Sequence, residues 1–288
     1  MPWVIGGRQA RPAGVFDRDH RPLYDTGLAL HVDLSTGVRK AARSAEVRCF
    51  KGISPDGRLL CGEGAIVPFD PARGAFGQPE ALGPDLDAHH ALRHGEQPCV
   101  AVTARDEVWV GDSVHSVKPP RGRAHPNHLF AWEEALFVTR GAAGDVREIA
   151  AHGSARGAWV ADVVIHDGVV RPDGVWFTTV DGRLIRLDLH RQTRREVDLH
   201  RMEDREPPLG WCRGLAFDGA IAWVGFTRLR ATAQRTRLAW VRGALRGRPM
   251  VSVHPTRIVG YDLETETKVG EIGLESDDLH AVFGIHVA

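Results

Sequence analysis

Apolar residues in this chain come in short bursts rather than at helical spacing. Few windows carry them at i, i+3, i+4 and i+7, whereas β-rich runs recur, each bounded by Gly, Pro or Asp. The clearest runs are Val108–Val110, Ala135–Thr139, Val175–Thr179 and Ile221–Phe226. Trp109, Trp176 and Trp223 take equivalent places in three of them, which predicts apolar core rather than a stacking platform. A strand entering a Pro-Asp-Gly turn occurs twice in gapless alignment, at Cys49–Gly57 and His166–Gly174.

A second unit is a strand, an Asp, a polar turn and another strand, around Asp33, Asp70, Asp188 and Asp262, with weaker copies at residues 112–118 and 144–150. An Asp there can accept backbone N–H groups across the turn, which suits an outer hairpin. The markers Asp33, Asp70, Asp112, Asp145, Asp188 and Asp262 are spaced 37, 42, 33, 43 and 74 residues apart, the last interval carrying an insertion. Repeats of about 40 residues with four strands each predict an all-β fold, one β-propeller of six four-stranded blades over residues 1–288. The blades should end near residues 40, 77, 120, 150, 199 and 272; seven blades are the alternative, with residues 3–20 supplying extra strands. The C-terminal run Ala281–Val287 reads as an innermost strand with no outer strands after it. It is expected to pair with strands from residues 3–40 and close the ring, leaving no free edge.

Charge changes this picture little. Lys plus Arg and Asp plus Glu both total 37, which gives no sign of a nucleic-acid or membrane partner. The four cysteines are far apart, with no Cys-x-x-Cys pair, so free thiols in a reducing cytoplasm are expected. The N-terminus lacks a basic stretch followed by a long apolar one, and no run approaches a membrane span, so the expected location is cytoplasmic. The insertion at about residues 226–257 is the exception to charge balance. Gly219 to Tyr261 contains no acid but eight arginines, among them Arg228 and Arg257. It reads either as a solvated loop or as a basic flap that attracts an anionic small molecule.

Candidate chemistry rests on the 15 histidines. With strands lettered A to D from the axis outwards, D–A and B–C connections open on one face of a propeller, where ligands usually bind. The segments entering the innermost strands hold Cys49, His89, His90, His125, His128, His166, Arg213 and His280, and the B–C turns add Glu63, Asp112, Arg140, Asp181 and Arg228. His90, His128, His166 and His280 are expected to converge on the axis and hold a divalent transition metal such as Fe, Zn or Cu. Each alone would equally well bond a neighbouring carbonyl, and a slip of one residue turns a side chain from the axis into the blade. The expected function is a small-molecule enzyme, metal-assisted, with His125 or His166 as acid or base and Arg213 steadying negative charge. Glu63, Asp112, Arg140 and Arg228 are the expected substrate contacts. The alternatives are a non-catalytic ligand sensor or protein-interaction platform, and a metal-free lyase or lactonase using the same groups. The absence of a P-loop, Gly-x-Ser-x-Gly and His-Glu-x-x-His argues against a nucleotide cofactor and two common hydrolase designs.

Three stretches carry a family likeness: Trp211–Asp218 with the strand and insertion that follow, Ile258–Thr265, and His125–Trp132. Together they resemble a bacterial β-propeller family of unknown function whose members carry a Cys-Arg-Gly-Leu-Ala-Phe strand (here Cys212–Phe217) followed by a similar insertion. The resemblance covers about residues 125–285. It implies the fold and no particular activity.

Overall fold

A computed structural model describes residues 1–10, 23–33, 35–83, 86–149, 156–229 and 254–287. The chain opens with β1 (Pro2–Gln9), β2 (Tyr24–Asp33) and β3 (Gly37–Ser44). Five antiparallel sheets follow. Blade I holds β4 (Phe50–Ile53), β5 (Leu59–Gly62), β6 (Ala65–Asp70) and β7 (Ala75–Phe76), with β8 (Glu80–Ala81) also on β6. Blade II holds β9 (Ala88–His94), β10 (Gln97–Val102), β11 (Glu107–Val110) and β12 (Ser113–Ser116). Blade III comprises β13 (Pro126–Trp132), β14 (Ala135–Arg140), β15 (Asp145–Glu148) and β16 (Gly157–Trp159). Blade IV comprises β17 (Ile165–Arg171), β18 (Gly174–Thr179), β19 (Arg183–Asp188) and β20 (Thr193–Asp198). Blade V is β21 (Trp211–Asp218), β22 (Ile221–Thr227), β23 (Arg257–Asp262) and β24 (Thr267–Gly273). The last strand, β25 (Ala281–Val287), pairs antiparallel with β1 as the innermost strand of blade VI, with Trp3 opposite His286 and Val4 opposite Ile285.

The strands β4, β9, β13, β17, β21 and β25 touch one another in ring order around the axis. Apolar side chains form six core clusters, one between each pair of neighbouring blades. Phe130 and Phe137 of blade III, for example, pack with Val175, Phe177 and Ile185 of blade IV. Val4 and Leu30 of blade VI pack with Trp223 and Ile258 of blade V. A strand flanked by a blade on each side buries both faces, which is why β18 is buried at all six positions and reads as a continuous run rather than an alternation.

The six blades and the C-terminal closure agree with the sequence reading. So do the outer hairpins: Asp33, Asp70, Asp188 and Asp262 each accept two backbone N–H groups across a C–D turn. Three details differ. Residues 2–9 form the second strand of the closing blade, not part of a seventh blade. Blade III ends at Trp159 rather than near residue 150. Val108–Val110 lies in a third strand, β11, so Trp109 is not equivalent to Trp176 and Trp223 on the second strands β18 and β22. All four cysteines are free and buried. Among the described residues no helix is long and apolar enough to cross a membrane. Most of the Arg-rich insertion, residues 230–253, lies outside the described residues; its ends join β22 to β23, a B–C connection.

Closure by β25 carries a direct consequence. The strand buries Ala281, Val282 and Ile285 and covers the edge of β1. Deleting residues 281–288 should therefore lower the melting temperature by at least about 10 °C or cause aggregation. A truncated protein that melts like the full chain would show that closure contributes little.

Candidate functional site

Each innermost strand carries one extra residue relative to its neighbour. The register slips at Lys51 in β4, His89 in β9, Asn127 in β13, Asp167 in β17, Arg213 in β21 and Phe283 in β25. These are β-bulges, a device that bends a strand and re-aims a side chain. Six bulges at one height bring a mixed set of side chains to the axis. Lys51, His89, Asn127, Asp167 and Phe283 all line one small axial cavity, with His90, His128 and His166. Its volume is about 30 Å³, room for a water but not for a substrate. A substrate would sit above it, towards the D–A and B–C connections.

On that side Asp87 ties two blades together. Lys51 Nζ lies 2.5 Å from Asp87 Oδ1 and 3.5 Å from Glu63, and His89 Nε2 lies 3.1 Å from Asp87 Oδ2. Burial opposes the Lys51 charge, but Asp87 and Glu63 outweigh it and keep the ammonium. Burial likewise works against the Asp87 carboxylate, and His89 and Lys51 overcome it, holding its pKa far below the usual carboxylate range. The His89 and His125 rings meet edge to face, with centroids 5.1 Å apart. Arg213 Nε donates to the Val282 carbonyl at 2.7 Å, and the guanidinium lies over the Phe283 ring, 3.3 Å from its centroid. Burial, reinforced by His89, lowers His125 to about 3. Burial and the nearby Arg213 hold His166 well below its ordinary value. Both imidazoles are therefore neutral near pH 7. Burial pushes the Cys49 thiol up to about 12, so it is no nucleophile at neutral pH.

The four-histidine ring is not assembled. His90 Nε2 donates to the Ile53 carbonyl at 3.0 Å and its Nδ1 accepts the Leu129 N–H at 3.3 Å, leaving no lone pair for a metal. Its ring stacks on His128 with centroids 3.8 Å apart. His280 does not line the axial cavity; its Nδ1 accepts the Gln9 N–H at 3.2 Å. Among the described residues no group of three or more His, Cys, Asp or Glu is arranged to hold a metal ion. His166 lines the axial cavity and feels the charge of Arg213, while His125 packs against His89.

The expected substrate contacts divide. Glu63 stands beside Lys51. Arg140 is spent on Asp145, through Nε at 2.7 Å and a second N–H, and on the Val117 carbonyl. Arg228 pairs with Glu275 at 2.7 Å. Asp112 lies in the turn between β11 and β12, a C–D connection on the opposite face.

Lys51, Asn127, Asp167 and Phe283 did not emerge from the sequence as site residues. Asn127 is 5% exposed and its Nδ2 donates to the Ile165 carbonyl at 2.8 Å, which leaves Oδ1 buried with no partner among the described residues. Asp167 Oδ2 accepts from Thr178 Oγ1 at 2.6 Å and from the Gly214 N–H at 3.1 Å, yet burial prevails and raises its pKa to about 6. A local signature was present: Lys51-Gly52-Ile53, Asp167-Gly168-Val169, Arg213-Gly214-Leu215 and Phe283-Gly284-Ile285 share a residue, a glycine and an aliphatic at each bulge.

No protein-family model matches the chain and no curated protein matches its sequence. Among solved structures it is similar to a protein of unknown function from Bacteroides caccae, with 12% identity and a TM-score of 0.66 over 99% of this chain and 97% of that one. A streptogramin B lyase matches with 12% identity and a TM-score of 0.54 over 97% of this chain and 90% of its own. A candidate 6-phosphogluconolactonase from Bacteroides fragilis matches with 12% identity and a TM-score of 0.53, over 99% and 97%. At such identities the likeness establishes the β-propeller fold alone.

The axial histidines make stability fall in acid. A depressed folded-state pKa contributes stability that is present above the unfolded value, near 6.5, and lost as pH falls towards the folded one. Burial lowers His90 to about 4 and His125 to about 3, and depresses His89, His128 and His166 as well. Keeping His90 neutral down to about pH 4 is alone worth about 3 kcal/mol. Asp167 acts oppositely: its raised pKa stabilises in acid, and that contribution is lost as pH rises through about 6. Five groups against one should lower the urea midpoint steadily between about pH 6.5 and about pH 4, more shallowly in His90→Gln. A flat profile would contradict the neutral, buried imidazoles.

Proposed function

We propose that the mouth of the axis is an acid–base site acting on a small anionic substrate, with chemistry of the lyase or lactone-opening class. The observation that carries this reading is the placement of two imidazoles kept neutral by burial, His125 and His166, beside the permanently charged Arg213 and the ion-paired Lys51. Arg213 can hold a carboxylate or the negative charge that develops on a carbonyl oxygen, while a neutral imidazole accepts a proton from carbon or from water. The inert Cys49 thiol points away from covalent catalysis by that residue. In this reading His166 is the base, because it lines the axial cavity next to Asp167, and His125 relays or returns the proton from the edge of the mouth. Arg213 positions the anion, and its contact with Phe283 fixes the guanidinium plane. The buried Asn127 Oδ1 offers an acceptor for a hydroxyl or N–H of the substrate, directly or through a water in the small cavity. The lyase and lactonase among the fold neighbours support the reading only to the extent that propellers of this shape host such chemistry.

The test is a panel of aldonic and uronic lactones and β-substituted carboxylates. Lactone opening is followed by proton release and elimination by absorbance of the new double bond. On the substrate found, His166→Asn should lower kcat roughly 100- to 10,000-fold with the fold intact. Arg213→Gln should raise KM at least about tenfold. Retention of full activity in His166→Asn would overturn the assignment.

A further inference from the structure

Below the bulges the axis widens into a funnel of about 630 Å³ that opens on the opposite face, among the A–B turns. All six blades contribute an apolar residue to its wall, Ile53, Leu92, Phe130, Val169, Leu215 and Ile285, with polar groups at His128, His286 and the rim. Ile53, His128, Leu215 and Ile285 line both this funnel and the small upper cavity, so the two spaces meet at that level but differ in character. A volume of this size and an apolar lining are those of a small-molecule site. The rim carries one carboxylate, Asp56, and two arginines, Arg93 and Arg171. Asp56 accepts from Ser54 Oγ at 2.5 Å and from the Arg58 N–H at 3.1 Å, bonds that keep it a carboxylate but direct it towards its own turn. Arg93 has no carboxylate partner among the described residues, and its one hydrogen bond there goes to the Glu96 carbonyl at 3.3 Å. Arg171 is more constrained, over the Phe217 ring at 4.3 Å and 3.8 Å from Asp173.

We propose that this funnel is a second ligand site, distinct from the mouth, for an amphipathic anion: an aliphatic chain bearing a carboxylate. The chain lies along the axis against the six-blade wall, and the carboxylate stays at the wet rim beside Arg93. A purely apolar ligand would leave the arginine rim unused, and a small polar anion would leave the wall in contact with water.

The probe is a dansyl-labelled medium-chain fatty acid titrated into the full-length protein, with decanoate and decanol as competitors. Saturable emission displaced at least about tenfold more effectively by decanoate than by decanol is the expected result. Ala131 and Val170 are exposed lining residues, so Ala131→Trp and Val170→Asp leave the core alone while filling the funnel or charging its rim. Both should abolish binding with near-UV circular dichroism unchanged, and Arg93→Gln should weaken it roughly tenfold. His166→Asn, at the other site, should leave probe binding as it was. Absence of saturable binding to the folded protein, binding that survives Ala131→Trp, or equal displacement by decanol would each overturn the proposal.

Discussion

A residue inserted into an antiparallel ladder leaves backbone groups without a cross-strand partner, and here six such insertions face one another across the axis. Side chains of neighbouring blades reach across to backbone groups at and beside these bulges. Thr139 Oγ1 donates to the Asp167 carbonyl at 2.7 Å, and Asn127 Nδ2 donates to the Ile165 carbonyl, both from blade III to blade IV. Asp167 in turn accepts the Gly214 N–H of blade V, and Thr227 Oγ1 of blade V accepts the Val282 N–H of blade VI at 2.9 Å. His90 links three blades at once, through the Ile53 carbonyl and the Leu129 N–H. The ring is therefore held twice, by apolar cores between blades and by polar bonds at the axis. Each polar bond contributes only about 1 kcal/mol net, but losing one strands a buried group at a cost of about 1–3 kcal/mol.

Close approach at the axis also decides which residue can follow a bulge. A Cβ on Gly52 would lie 2.2 Å from the His89 carbonyl oxygen, and one on Gly168 would lie 2.7 Å from the Phe130 ring. Four blades carry glycine there, Gly52 and Gly168 under this crowding, Gly284 under a looser contact, and Gly214 with a backbone φ of +84° that favours glycine. Blades II and III instead carry His90 and His128, which stack on one another, and His90 spends its ring on the backbone of both neighbours. Two of the four histidines expected to hold a metal thus occupy the positions that glycine fills elsewhere, and for His90 the hydrogen bonds give a packing reason.

The architecture was legible because it repeats: the 40-residue spacing, the Asp-anchored outer turns and the unpaired C-terminal strand all report backbone pairing that side-chain detail does not disturb. The axial residues were harder to read. Aligning Cys49–Gly57 with His166–Gly174 at their Pro-Asp-Gly turns sets Lys51 against Gly168, whereas the bulges set it against Asp167. Those turns lie on the face opposite the mouth and differ in length, residues 54–58 against residues 172–173, so the difference is carried up the strand as a one-residue slip. In blade II the polar strand β9 and the short Gly95 turn hid an entire hairpin, which moved Asp112 to the wrong face. The residue-glycine-aliphatic signature would have restored the register in blades I, IV, V and VI. It fails in blades II and III, where histidine replaces the glycine.

Division of the axis at His128 gives the two ends different electrostatics. Below it, apolar walls and a few rim charges respond to salt like any surface. Above it, Lys51 and Arg213 lie among imidazoles that burial already keeps neutral, and Arg213 lowers His166 further. In the acid–base reading proposed above, these charges make the site responsive to the charge of whatever enters. An anion bound beside Arg213 cancels part of the field that depresses His166 and contributes its own attraction for a proton, so the imidazole pKa must rise on binding. By linkage, a ligand that raises that pKa binds with uptake of a fraction of a proton and binds more tightly as pH falls, until acid unfolding intervenes. If His166 is the base proposed above, substrate charge and base strength are thereby coupled, and a neutral analogue lacking that charge would leave His166 the weaker base.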